Sequence, residues 1–290
     1  MNRETVKSYA SLISSMLIFG TIGIFRRYIP LSSAMLAFFR GLLGSAFLLI
    51  LVLAKRGKLQ RIDSKKLLLL AITGAIIGVN WMLLFEAYNY TSVAVATMCY
   101  YMQPTIVILL SPLVFREKLT FKKMLCAAAA IVGMVFVSGV ADGTGFQPQD
   151  IKGILFGLGA AVCYSAAVIL NKKVTVDDVY ERTIIQLASA AIILIPYLLL
   201  TENVSEIELS GFAVGMVLLV GIVHTGIAYA LYFGSMKNLK AQSIAVMSYI
   251  DPASALIFSA VFLNEKLSVF GIIGAALIIG SALVSEVVKE

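Results

Sequence analysis

Apolar positions along this chain fall in runs of about twenty residues, and short charged clusters separate one run from the next. A helix needs roughly 20 residues to cross about 30 Å of hydrocarbon. Inside lipid only helices and closed barrels satisfy their own backbone polar groups. The runs are continuous rather than alternating, so helices are expected. The first half predicts spans at 9–25, 31–54, 67–87, 92–114 and 121–139. The second half predicts spans at 153–171, 181–200, 211–233, 241–263 and 267–286. The expected fold class is an all-α membrane protein with ten transmembrane helices, which leaves almost no chain for a soluble domain.

The pattern also repeats. CYYMQPTIVILLSPLVFREKL, residues 99–119, aligns without a gap on MSYIDPASALIFSAVFLNEKL, residues 247–267. Tyr101 meets Tyr249, Gln103 meets Asp251, Pro104 meets Pro252, and Glu117-Lys118-Leu119 meets Glu265-Lys266-Leu267. The same offset of 148 carries Gly78 onto Gly226, Trp81 onto Tyr229 and Phe85 onto Phe233, and an offset of 146 carries Arg40 onto Gln186. Two repeats, 1–140 and 141–290, follow as the domain organisation. Each holds five spans, an odd number, so the second enters the membrane upside down relative to the first. Inverted repeats are a common plan of secondary transporters, whose substrate sites lie near the midplane beside interrupted helices. Pro104 and Pro252 mark such interruptions, or hinges, in the fourth and ninth spans.

Two five-helix halves, each with a proline followed thirteen residues later by Glu-Lys-Leu, resemble the EamA domain of the drug/metabolite transporter superfamily. GIVHTGIAYALYFGSMKNLKAQSIAVMSYIDP, residues 221–252, is also similar to that family, and the resemblance covers 9–286. It implies transport of small metabolites by alternating access. It also implies that spans 1–4 and 6–9 surround a central cavity, with 5 and 10 at the periphery.

Composition agrees: 60% of residues are hydrophobic, 13% are charged and the mean hydropathy is +0.95, whereas soluble domains carry about 25% charged residues. The net charge of +7 comes from topology. Eighteen lysines and arginines fall on the side of the termini and four (Arg26, Arg27, Lys152, Lys266) on the other. By the positive-inside rule both termini face the cytoplasm of a multi-pass cell-membrane protein. Nucleic acid is therefore not an expected partner; the lipid bilayer and a small-molecule substrate are. The first apolar run lacks a small-residue cleavage pattern and reads as helix 1 rather than a signal peptide. Cys99, Cys126 and Cys163 all lie in predicted spans and suggest packing rather than disulfides. One histidine and no Cys-x-x-Cys or His-x-x-x-His spacing give no metal site, and no cofactor is implied.

Candidate chemistry rests on polar residues at depth, which are functional candidates because they are costly there. An aspartate near the bilayer centre costs about 2.5–3.5 kcal/mol. Asp251, the eleventh residue of its span, reads as a proton-binding carboxylate, a partner for a substrate amine, or a packing residue paired with Arg40. Arg40, the tenth residue of its span, could hold a carboxylate or phosphate bidentately, neutralise Asp251, or bond helix carbonyls. His224, Asn80, Trp81, Tyr100, Tyr101, Gln103, Tyr229 and Tyr249 complete the candidate cavity lining, with ordinary helix packing as the alternative for each. Glu117 and Glu265 sit at helix ends beside lysine and read as gating or structural residues, with Thr120 and Ser268 able to cap the helices that follow. Glu86 reads as a solvated end residue.

A secondary transporter of amino-acid-like or related solutes is the favoured function, with export the favoured direction. Proton coupling through Asp251 and facilitated diffusion both stay open, and a monomer suffices, though a homodimer is equally allowed. No G-x-x-x-x-G-K-[ST] motif supports ATP-driven transport. No nucleophile–base pair or metal cluster supports an enzyme. A channel without charged rings or a carbonyl filter, and a non-transporting receptor or scaffold, are the alternatives.

Overall fold

The computed structural model describes residues 3–56, 59, 62–115, 120–139, 148–171, 174, 178–202, 210–235, 238–239, 244 and 247–287. Glu117 lies outside them. Described residues form thirteen α-helices and one π-helical segment, with no strand among them. The first half contains α1 (Arg3–Gly20), α2 (Ile22–Arg27), α3 (Ser33–Arg56), α4 (Ser64–Tyr90), α5 (Val93–Tyr100), α6 (Gln103–Phe115) and α7 (Phe121–Val137). The second contains α8 (Pro148–Asn171), α9 (Val179–Thr201), α10 (Gly211–Leu219), the π segment (Val220–Ile227), α11 (Ala228–Ser235), α12 (Ile250–Phe262) and α13 (Val269–Val287). Among the described residues, seven helical stretches are long and apolar enough to cross a membrane, and Ile250–Phe262 and Val269–Val284 are shorter apolar helices. The chain is a multi-pass membrane protein.

Short polar side chains fix where the helices start by satisfying first-turn amides. Asp63 accepts from Lys65 N, Ser92 from Val95 N, Asp178 from Tyr180 N and Glu181 N, and Ser210 from Ala213 N. Thr120 and Ser268 do the same for Lys123 N and Gly271 N.

Both matched prolines lie just after a helix break rather than in a helix interior. The fourth span breaks at Tyr101–Met102, and Pro104 is the second residue of α6. In the ninth, Tyr249 forms a turn and Pro252 is the third residue of α12. A first-turn proline sacrifices no helical hydrogen bond, because its N–H would have no partner there anyway.

Glycines let the helices close on one another. A Cβ on Gly41 of α3 would lie 2.8 Å from Leu187 O, and one on Gly78 of α4 would lie 2.6 Å from Ala190 O, both on α9. Thus α3 and α4 press against α9, while α4 also runs along α8. Helix α7 packs on α13 through Gly133 and Gly274, where a Cβ on either would lie 2.6 or 2.5 Å from the other's carbonyl oxygen, and Phe136 meets Phe270 edge-on at 5.4 Å. Helix α1 lies against α11 and α12.

Candidate functional site

A cavity of about 690 Å³ opens between the two halves. Its walls come from α1 to α6, α8, α9, α11 and α12; α7 supplies only Lys123, and α13 supplies nothing. Pairs matched by the repeat line it together, among them Arg40 with Gln186, Trp81 with Tyr229, Tyr101 with Tyr249 and Gln103 with Asp251.

Arg40 is 6% exposed. Its Nε donates to Thr225 Oγ1 at 2.9 Å, and its guanidinium lies 4.1 Å above the Trp81 ring, with Phe85 at 5.8 Å. Thr225 sits on the π segment, where its hydroxyl also donates to Val220 O, five residues back, at 3.2 Å. Gly44 on α3 makes room for Thr225, since a Cβ there would collide with the threonine methyl. Asp251, in the first turn of α12, takes a hydrogen bond from the Tyr101 hydroxyl at 2.5 Å. The two helix breaks therefore meet across the cavity through a residue of each. Gln103 Oε1 is buried and has no hydrogen-bond partner among the described residues. Tyr100 packs edge-on against Tyr101 and Tyr164 at 5.5 and 5.7 Å, and Tyr229 stacks on Phe233 at 5.5 Å.

Several sequence expectations change here. Arg40 and Asp251 share the cavity but form no ion pair; each is held by other partners, Thr225 with Trp81 and Tyr101 respectively. Among the described residues the salt bridge is Arg27–Glu265 at 3.3 Å. Asn80 is fully buried away from the cavity and donates to Ala160 O at 2.6 Å, joining α4 to α8. His224 is also outside the lining: its Nε2 is 2.8 Å from Thr21 Oγ1 and its ring meets Phe25 edge-on at 4.8 Å. Of the residues read as hinges or helix ends rather than as lining, Pro104 borders the cavity and Pro252 and Glu265 do not. Sequence reasoning missed Tyr164 and Arg182 as lining residues; Gln186, the mate of Arg40, was findable from the repeat.

The cavity ends differ. One reaches the half-buried Lys123, Asn171 and Arg182. The other is walled by Tyr88 and Val93, 3% and 1% exposed. Beyond Val93, Glu265 accepts from Val93 N at 3.0 Å, Ala94 N at 3.2 Å and Arg27 Nη2 at 3.3 Å. Arg27 also donates to Thr91 O at 3.2 Å. Asn264, with φ 55°, turns the chain after α12 before Glu265; asparagine tolerates this left-handed conformation. Beside this clasp Glu86 is not merely solvated: it accepts from Ser33 Oγ at 2.6 Å and Asn89 Nδ2 at 3.1 Å, while Arg26 donates to Asn89 Oδ1 and Ile29 O.

Comparison with known proteins agrees with this architecture. The profile of the EamA-like transporter family matches residues 6–139 and again 151–286. The uncharacterized transporter YxxF of Bacillus subtilis is 29% identical over 290 residues, covering 100% of this chain and 92% of its own. An uncharacterized transporter of Archaeoglobus fulgidus is 25% identical over 95% of each chain, and the protein PecM of Dickeya dadantii is 24% identical over 75% of this chain and 73% of its own. A solved crystal structure, 22% identical, superposes with a TM-score of 0.67 over 99% of both chains, a likeness of fold.

Proposed function

Because the chain belongs to the EamA-like transporter family, we propose that it carries small amphipathic, amino-acid-like solutes across the cell membrane by alternating access, with the cavity around Arg40 and Asp251 as the carrying site. The observation that supports this most is the matched lining: residues paired by the repeat, from both halves, face one space of about 690 Å³. That volume falls within the roughly 300–1,000 Å³ of small-molecule pockets. Aromatic walls with one deep cation and one carboxylate suit a solute that is partly apolar and bears both charges. This reading includes ten crossings, two five-helix halves of opposite orientation and cytoplasmic termini, supported by the lysine and arginine bias. The cavity end reaching Lys123 and Arg182 then faces the cytoplasm, which supports loading from inside and export. Proton exchange would run through Asp251.

Counterflow of radiolabelled amino acids in proteoliposomes, with and without a pH gradient, tests the reading. Saturable exchange that Asp251→Asn uncouples from the gradient is expected. Purified protein that exchanges no member of the panel would sink the substrate class; an Asp251→Asn variant with unaltered pH response would remove proton coupling alone.

A further inference from the structure

We propose that Arg40 is the carboxylate-recognition group of this cavity, a fork held in position by Trp81 and by Thr225 on the π segment. The proposal rests on the cavity being a carrier site for amino-acid-like solutes and names the part of the solute that decides entry. At 6% exposure the Arg40 guanidinium has left bulk water, and a buried cation is costly unless an anion meets it. Among the described residues no anion lies within ion-pair reach: their salt bridge belongs to Arg27 and Glu265, and Asp251 is engaged by Tyr101.

What the protein does supply is orientation. Thr225 takes the Nε–H, and Trp81 covers the plane of the group. Among the described residues no hydrogen bond involves the two terminal nitrogens of Arg40, which lines the cavity. A guanidinium fixed at Nε and on one face offers its remaining N–H groups as a fork that fits a carboxylate bidentately; an ammonium has no such fork.

Elsewhere in the lining, the repeat mates Gln103 and Asp251 place an amide oxygen with no partner among the described residues and a carboxylate. These are acceptors for an ammonium. Arg40 and Asp251 together balance a solute with one carboxylate and one amine; the other lining cations, Lys123 and Arg182, lie at the cavity end, so a phosphate at Arg40 would bring a second negative charge beside Asp251. The π geometry makes Thr225 a positioning residue: its hydroxyl is shared between Val220 O and the Arg40 Nε–H. In a regular α-helix a threonine hydroxyl bonds the carbonyl four residues back instead.

The test uses purified full-length protein, thermal stabilisation and proteoliposome counterflow. The probes are matched sets: L-leucine, 3-methylbutylamine and 4-methylpentanoate; L-phenylalanine, 2-phenylethylamine and 3-phenylpropanoate; and O-phosphoethanolamine. Hydrogen bonds to a charged partner predict a preference for the amino acid over its decarboxylated amine of about ten- to a hundredfold. Arg40→Lys should collapse that preference towards parity while the amines bind as before. Thr225→Val should reduce it in the same direction and Thr225→Ser should restore it, a pair that decides the matter if the Arg40 variant fails to fold. Amines that bind wild-type protein as tightly as the amino acids would overturn the clamp and leave the carrier reading standing. Tighter binding of O-phosphoethanolamine would overturn it in favour of a phosphate site. Binding of no probe would remove the amino-acid-like substrate class and the clamp with it.

Discussion

The Glu265 carboxylate meets three donors at once, two first-turn amides of α5 and the Arg27 guanidinium. A carboxylate at a helix N-terminus is worth about 0.5–2 kcal/mol. The ion pair is worth less, because Arg27 is 40% exposed and solvent screens it. Glu265→Ala should therefore lower stability by about 1–2 kcal/mol and Arg27→Ala by under about 1 kcal/mol, read from denaturation of purified protein. The swap Arg27→Glu with Glu265→Arg should not restore stability, since an arginine cannot accept from Val93 and Ala94. Asn80 shows what the sequence hides at this scale. Neighbouring helix positions point about 100° apart, so Trp81 facing the cavity turns Asn80 into the α4–α8 contact. In a bilayer helix the lipid-facing and core-facing sides are both apolar, so periodicity does not say which of two adjacent polar residues looks inward. Asn80→Ala should cost roughly 0.6–1.7 kcal/mol of stability and leave solute affinity unchanged; a loss of affinity in correctly folded protein would place Asn80 in the site after all.

At the scale of elements, span positions were legible because uninterrupted apolar runs of bilayer length have few alternatives; each predicted span overlaps observed helix. The interruptions near Pro104 and Pro252 were legible too, though the breaks fall before the prolines, which take first-turn positions of the helices that follow. The π segment was not legible. VGIVHTGI holds no proline or other local break signal, and what distinguishes it is tertiary: Thr225 against Arg40 and His224 against Thr21. The glycines differ among themselves. Gly133 lies in the α7–α13 contact, but a Cβ on Gly280 would meet nothing within 4 Å. That difference makes a paired prediction. A Cβ on Gly274 would lie 2.5 Å from Gly133 O, a backbone atom that cannot rotate away. Gly274→Val should cost about 1–3 kcal/mol or more from overpacking, while Gly280→Val should melt like the wild type. Neither should alter ligand binding, since α13 contributes nothing to the cavity.

For the whole molecule, the proposed carrier reading makes the two cavity ends one end state of the transport cycle. The clasp of Glu265, Arg27 and α5 closes one edge over Val93, and the cavity reaches Lys123, Asn171 and Arg182 at the other. The proposed inverted plan follows from the odd number of predicted spans per repeat, but which edge is shut does not, because that depends on contacts between residues 172 positions apart such as Val93 and Glu265. Membrane-impermeant maleimide on a background with Cys99, Cys126 and Cys163 replaced by alanine reads the arrangement directly. Asn171→Cys should label from the cytoplasmic face of inside-out vesicles and be protected by a transported solute, and Lys152→Cys should label from outside in intact cells. Val93→Cys should resist the reagent from outside, because Val93 is 1% exposed behind the clasp. Adding Glu265→Ala removes about 1–2 kcal/mol from the outwardly closed state alone, and an equilibrium displaced by that much shifts about five- to thirtyfold. Labelling of Val93→Cys from outside should rise by a comparable factor while labelling of Asn171→Cys from inside falls. If both rise together, Glu265 secures the fold in every state rather than one edge of the carrier, and the clasp is a structural cap.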